Sequence, residues 1–87
     1  MTTPIRPEDI LPDGQDRAVV GSTSVRKGSV AAFLANARLL EDAEPGSPAA
    51  EAISAQLREL AEPLRAIGLF EVFAIRSSRV AEAAGTA

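Results

Sequence analysis

The stretch Leu69-Phe70-Glu71-Val72-Phe73-Ala74-Ile75 decides the fold, because it is the densest apolar run in the chain and carries two of its three phenylalanines. Read with a period of two, Phe70, Val72 and Ala74 share one side and Leu69, Phe73 and Ile75 the other, around the single charge of Glu71. A strand here returns to whatever sheet lies upstream. Read with a helical period, the same residues become a third helix in a mainly α-helical bundle with a short N-terminal hairpin.

Immediately upstream, Gly68 is a helix stop, able to take the left-handed conformation that ends a helix. Before it, Ile53, Leu57, Leu60, Leu64 and Ile67 recur at spacings of 4, 3, 4 and 3, which places all five on one helical stripe. Ser47 as N-cap and Pro48 at the first helical position start this helix cleanly. Pro63 falls within it, yet the apolar register continues across, so a kinked continuation to Ile67 is expected despite a cost of about 3 kcal/mol for an interior proline.

An earlier helix is expected from Ser29, as N-cap, to about Asp42, with Val30, Phe33, Leu34, Ala37 and Leu40 on one face. In front of it, Arg17-Ala18-Val19-Val20 and Thr23-Ser24-Val25-Arg26 flank Gly21-Ser22, the pattern of a β-hairpin with a two-residue turn. The fold expected is therefore α+β in the order β-β-α-α-β: an N-terminal hairpin, a helical hairpin and a C-terminal strand. Three strands with a helix packed on them are about the minimum that is stable. Residues 1–16, with Pro4, Pro7, Pro12 and Gly14 among acids, read as a flexible arm, residues 17–78 as one small globular domain, and residues 79–87 as a flexible, alanine-rich tail.

The strings Arg26-Lys27-Gly28-Ser29-Val30-Ala31-Ala32-Phe33-Leu34-Ala35-Asn36 and Gly68-Leu69-Phe70-Glu71-Val72-Phe73 resemble a family of small bacterial proteins of unknown function. The likeness covers residues 17–75: a Gly-Ser/Thr-Val helix start, an Asn later in that helix, and a Gly-Leu-Phe-Glu-aliphatic-Phe segment. It implies a compact domain and brings no chemistry with it.

Composition narrows the function classes. The 87 residues include no Cys, no His, no Trp and no Tyr, which removes thiolate metal sites, disulfides, thiol nucleophiles and the commonest general base together. No cofactor is implied, no metal ligand set stands out, and the twelve acids are scattered, so no catalytic pair can be nominated and a non-enzyme is expected. A net charge of −3 speaks against nucleic-acid binding, which needs a concentrated basic face. No apolar stretch approaches the roughly 20 residues that span a bilayer, and the first residues lack the basic start and apolar run of a signal peptide, so a cytoplasmic protein without a membrane partner is expected.

Two candidate surfaces remain. Arg26, Lys27 and Ser29 at a helix start form a candidate anion-binding site, since free N–H groups, the helix dipole and two cations favour negative charge there. The spacing is wrong for a P-loop, and simple capping is the plainer reading. Leu57, Leu64, Phe70, Phe73 and Ile75 form a candidate interface, because a short chain with a thin core often gains the missing burial from a second copy or a protein partner. The sequence thus favours a protein-interaction module or small homodimeric adaptor, with an anion or small-molecule binder as the alternative.

Overall fold

A computed structural model describes residues 3–12 and 14–86. The hairpin forms as the alternation dictates: β1 (Arg17–Val20) pairs antiparallel with β2 (Thr23–Arg26), with Ala18 opposite Val25 and Val20 opposite Thr23. Gly21 has φ +61° and Ser22 a negative φ, the pattern of a two-residue turn with glycine at its first central position. Ala18, Val20, Thr23 and Val25 are half-buried, whereas Arg17, Val19, Ser24 and Arg26 face outward. Ahead of the hairpin, α1 (Pro7–Ile10) is a single exposed turn.

Two longer helices follow, α2 (Ser29–Asp42) and α3 (Pro48–Ala66). The start of α3 follows the sequence signal: the Ala50 N–H donates to the Ser47 hydroxyl at 3.1 Å, and Pro48 occupies the first turn. The helix runs through Pro63 to Ala66, because Leu60, Ala61 and Leu64 on either side of the ring are held in the packing. Leu57, Ala61 and Leu64 are fully buried, at 0 % exposure, which makes α3 the central element. Phe33 and Leu40 of α2 pack on it, and each large side chain so buried contributes about 1.5–3 kcal/mol.

The expected C-terminal strand is absent among the described residues, whose sheet has two strands only. Leu69–Val72 form a single helical turn, α4, closed by the Phe73 N–H donating to the Leu69 carbonyl at 2.8 Å. Residues 73–77 then continue without regular structure into α5 (Ser78–Ala84). The cause lies at Gly68, whose φ of +87° turns the chain sharply off the end of α3. Leu69 and Phe70 land beside α2, where the rings of Phe70 and Phe33 meet at 5.9 Å between centroids and 56° between planes. Aromatic contact and burial against two helices are gained there, and the hairpin edge is left unextended.

The tail reading also needs correction. Arg79–Ala84 belongs to α5, where Val80 and Ala84 are buried in the core. The Ser77 hydroxyl accepts the Val80 N–H at 3.2 Å as N-cap. Val80 and Ala84, four apart, form a helical face of small side chains that packs on α3, so low side-chain mass here marks close packing. Of the i, i+4 pairings that the spacing offers, Arg38 with Asp42 and Arg58 with Glu62, neither forms a salt bridge among the described residues. Glu62 meets Arg65 at 3.8 Å instead.

Candidate functional site

Residues 69–77 lie alongside α2 and run with it. Phe70 touches Phe33 near the start of the helix, the Ser77 hydroxyl donates to the Glu41 carboxylate near its end, and the Arg79 guanidinium donates to the Ala43 carbonyl at 3.0 Å just beyond. Between the helix and this parallel segment an open groove of about 550 Å³ remains. Val30, Leu34 and Ala37 line one wall, and Phe73 and Ile75 line the other, with Phe33 and Phe70 among the side chains beneath. Arg38, Glu41 and Arg76 supply charge near the end where Ser77 meets Glu41.

The groove exists because α2 carries more apolar surface than α3 can cover. Phe33, Ala37 and Leu40 fall on the stripe facing α3, whereas Val30 and Leu34 lie one helical sector away and point out of it. Leu34 is 55 % exposed and Val30 42 %. Across from them Phe73 is 65 % exposed, on the extended backbone that follows α4. The apolar residues of the deciding stretch are therefore divided: Leu69, Phe70 and Ile75 pack against the core, and Phe73 and Val72 stand out from it.

The candidate interface divides in the same way. Leu57 and Leu64 are sealed inside the α3 packing, where no partner can reach them. Phe70 is half-buried beneath the groove and Ile75 half-buried in its wall, and Phe73 is its outermost apolar side chain. Val30 and Leu34 were placed by the sequence in the core face. The signal that separates them is angular, since five apolar positions on α2 span a sector wider than one seam.

At the candidate anion site, Ser29 does not cap its helix. Gly28 is the N-cap, and the Ser29 hydroxyl points inward, donating to the Arg26 carbonyl at 2.7 Å. The Lys27 N–H is also engaged, donating to the Asp16 carbonyl at 2.6 Å. The structure thus uses Ser29 to lock the turn between β2 and α2, with Arg26 and Lys27 exposed at its surface. The groove beside α2 does not include Arg26, Lys27 or Ser29 in its lining. Asn36 likewise turns inward on its own helix, its amide nitrogen donating to the Ala32 carbonyl at 2.9 Å.

Among the described residues no three carboxylates gather where they could hold a metal ion, and no helix is long and apolar enough to cross a membrane. A smaller, more polar recess between the start of α3 and the α2–α3 turn is lined by Leu40, Pro45, Ala50, Ser54, Arg58 and Arg79 among others. Comparison with protein-family models, with curated proteins and with solved structures gives no match, so the reading of this site rests on its own residues.

Proposed function

We propose that the protein is a non-enzymatic interaction module whose contact surface is the groove between α2 and residues 69–77, and that this groove receives the apolar face of an α-helix. The observation that carries the reading is the pair of exposed apolar walls, Val30 and Leu34 on one side and Phe73 on the other, converging on an apolar floor. Isolated exposed hydrophobic residues need no explanation, but a contiguous set along a groove is the usual mark of a protein contact. The groove is long, open and apolar with charges confined to one end, which suits a helix presenting residues at i, i+3 and i+4.

The test is a titration of dilute protein with a designed amphipathic leucine–lysine helix, followed by methyl chemical shifts. Shifts concentrated at Val30, Leu34 and Ile75, and lost in a folded Phe73→Asp variant, are expected. Absent shifts, or equal shifts in that variant, would overturn the groove as the contact surface.

A further inference from the structure

We infer that the recess between the start of α3 and the α2–α3 turn is a second binding site, separate from the groove, and that it takes the carboxylate of a small organic acid. The inference does not rest on the groove reading, because the two depressions share no lining residue.

The argument begins with two arginines. Arg58 of α3 and Arg79 of α5 line the recess together. Neither has a carboxylate within salt-bridge distance among the described residues, where the ion pairs are Arg6 with Glu8 and Arg65 with Glu62. A long helical side chain leans over the turn before it, which carries Arg58 back towards Ser54. Ser54, four residues earlier and half-buried, lines the same recess. Its hydroxyl makes no hydrogen bond among the described residues, whereas Asn36, also inside a helix, turns back to the Ala32 carbonyl. Arg79 is half-buried and already placed: one guanidinium nitrogen donates to the Ala43 carbonyl, and the Ser77 cap holds the start of the helix that carries it. A guanidinium offers five N–H donors in a rigid fork, so those not used on Ala43 are held in position before any ligand arrives.

Two groups that only donate, beside a free hydroxyl, select an anion. The remaining charge on the recess sets which anion. Glu51 lines it as well, three residues before Ser54, so two cations face one carboxylate and a single positive charge is left in excess. About 10 Å of helix rise separates Glu51 from Arg58, which keeps the two from cancelling one another. A monoanion balances the excess; a phosphate dianion overshoots it and meets Glu51. The rest of the ligand is set by the apolar lining, which comes from the buried Leu40 and Ala50 and from Pro45 of the turn. At about 360 Å³ the recess falls in the range of small-molecule pockets. A carboxylate on a short branched aliphatic body therefore fits, with the charge between Arg58 and Arg79 and the body against Leu40, Ala50 and Pro45.

The experiment titrates the full chain at fixed ionic strength with isovalerate, with its neutral amide isovaleramide, and with inorganic phosphate. The arginine Nε–Hε resonances report the recess, and the methyl resonances of Val30 and Leu34 report the groove. Saturable shifts at Arg58 and Arg79 are expected with isovalerate, and binding about tenfold or more weaker with the amide and with phosphate. Arg58 is exposed and outside the core, so Arg58→Gln should keep its helicity by circular dichroism and bind isovalerate about tenfold more weakly, with Arg58→Lys in between. Shifts that do not saturate, or amide or phosphate binding as tight as that of the acid, would overturn the inference. So would undiminished binding in Arg58→Gln. Shifts at Val30 and Leu34 in place of Arg58 and Arg79 would put the acid in the groove and overturn this site while leaving the groove reading standing.

Discussion

The division between a sealed α3 stripe and an open groove predicts opposite outcomes for two apolar residues that the sequence places in one class. Phe73 is 65 % exposed, so about a third of the ring is covered in a single chain. Full burial of a phenylalanine contributes about 1.5–3 kcal/mol, and Phe73→Asp should therefore cost a monomer only about 0.5–1 kcal/mol. Leu57 is fully buried, and Leu57→Ala should cost about 2–5 kcal/mol through lost transfer energy and the cavity left behind. A domain of this length has about 4–13 kcal/mol in total, so the second change removes a large part of it. At roughly 4–8 °C per kcal/mol, the aspartate variant should melt no more than about 8 °C below the natural chain, and the alanine variant at least about 8 °C below it. Urea and thermal denaturation followed by circular dichroism, at concentrations low enough to keep association out of the baseline, measure both. A loss above about 3 kcal/mol for Phe73→Asp would refute the reasoning, because it would place the ring in the core and close the groove.

Further changes probe the elements that shape the groove. Gly68→Ala forces a side chain into a left-handed residue and brings its Cβ to 3.0 Å from the Glu71 carboxylate, so a loss of about 1–2 kcal/mol in urea denaturation is expected, with methyl shifts at Ile75 as residues 69–77 move. Ser77→Ala removes both the N-cap of α5 and the donor to Glu41; a cost of about 1–2 kcal/mol is expected, with amide exchange faster in α5 than in α3. Asn36→Ala loses one bond to the Ala32 carbonyl but gains about 0.5 kcal/mol of helix propensity, so stability should change by less than about 1 kcal/mol by urea titration.

Much of the scaffold was legible in the sequence because its signals are local. The Gly21-Ser22 turn between alternating residues locates both strands of the hairpin, and Ser47-Pro48 with the stripe from Ile53 to Ile67 locates α3. Continuation through Pro63 was readable from the uninterrupted register. The course of residues 69–77 was not, since an apolar run of that length takes its conformation from what it packs on, and its partner Phe33 lies far away in sequence. Leu69–Val72 obeys a helical period for one turn and Phe73 an extended one, so neither period describes the whole stretch.

The C-terminal helix was hidden for another reason. Its core side chains, Val80 and Ala84, are small, and the mass criterion that identifies Leu57 and Leu64 passes over them. Ser77 ahead of the helix and Gly85 behind it were the available signals, a cap at each end. Ser29 illustrates the converse. Its type and position match an N-cap, but Gly28 takes that place and the hydroxyl is spent on the Arg26 carbonyl, which only the turn geometry decides. The groove lay between these cases. Its walls come from residues that the sequence marks as apolar, and their exposure follows from the width of the apolar sector on α2 and from the path of a segment that arrives later in the chain.

The measurement that tests the central claim most directly is the titration of the natural chain with the designed leucine–lysine helix, set beside that of Leu34→Glu. Leu34 projects from the middle of the exposed stripe and contributes little to the packing of a single chain. The account predicts saturable methyl shifts at Val30 and Ile75 for the natural protein and none for the variant, with unchanged helicity. Shifts that persist undiminished in Leu34→Glu would contradict it.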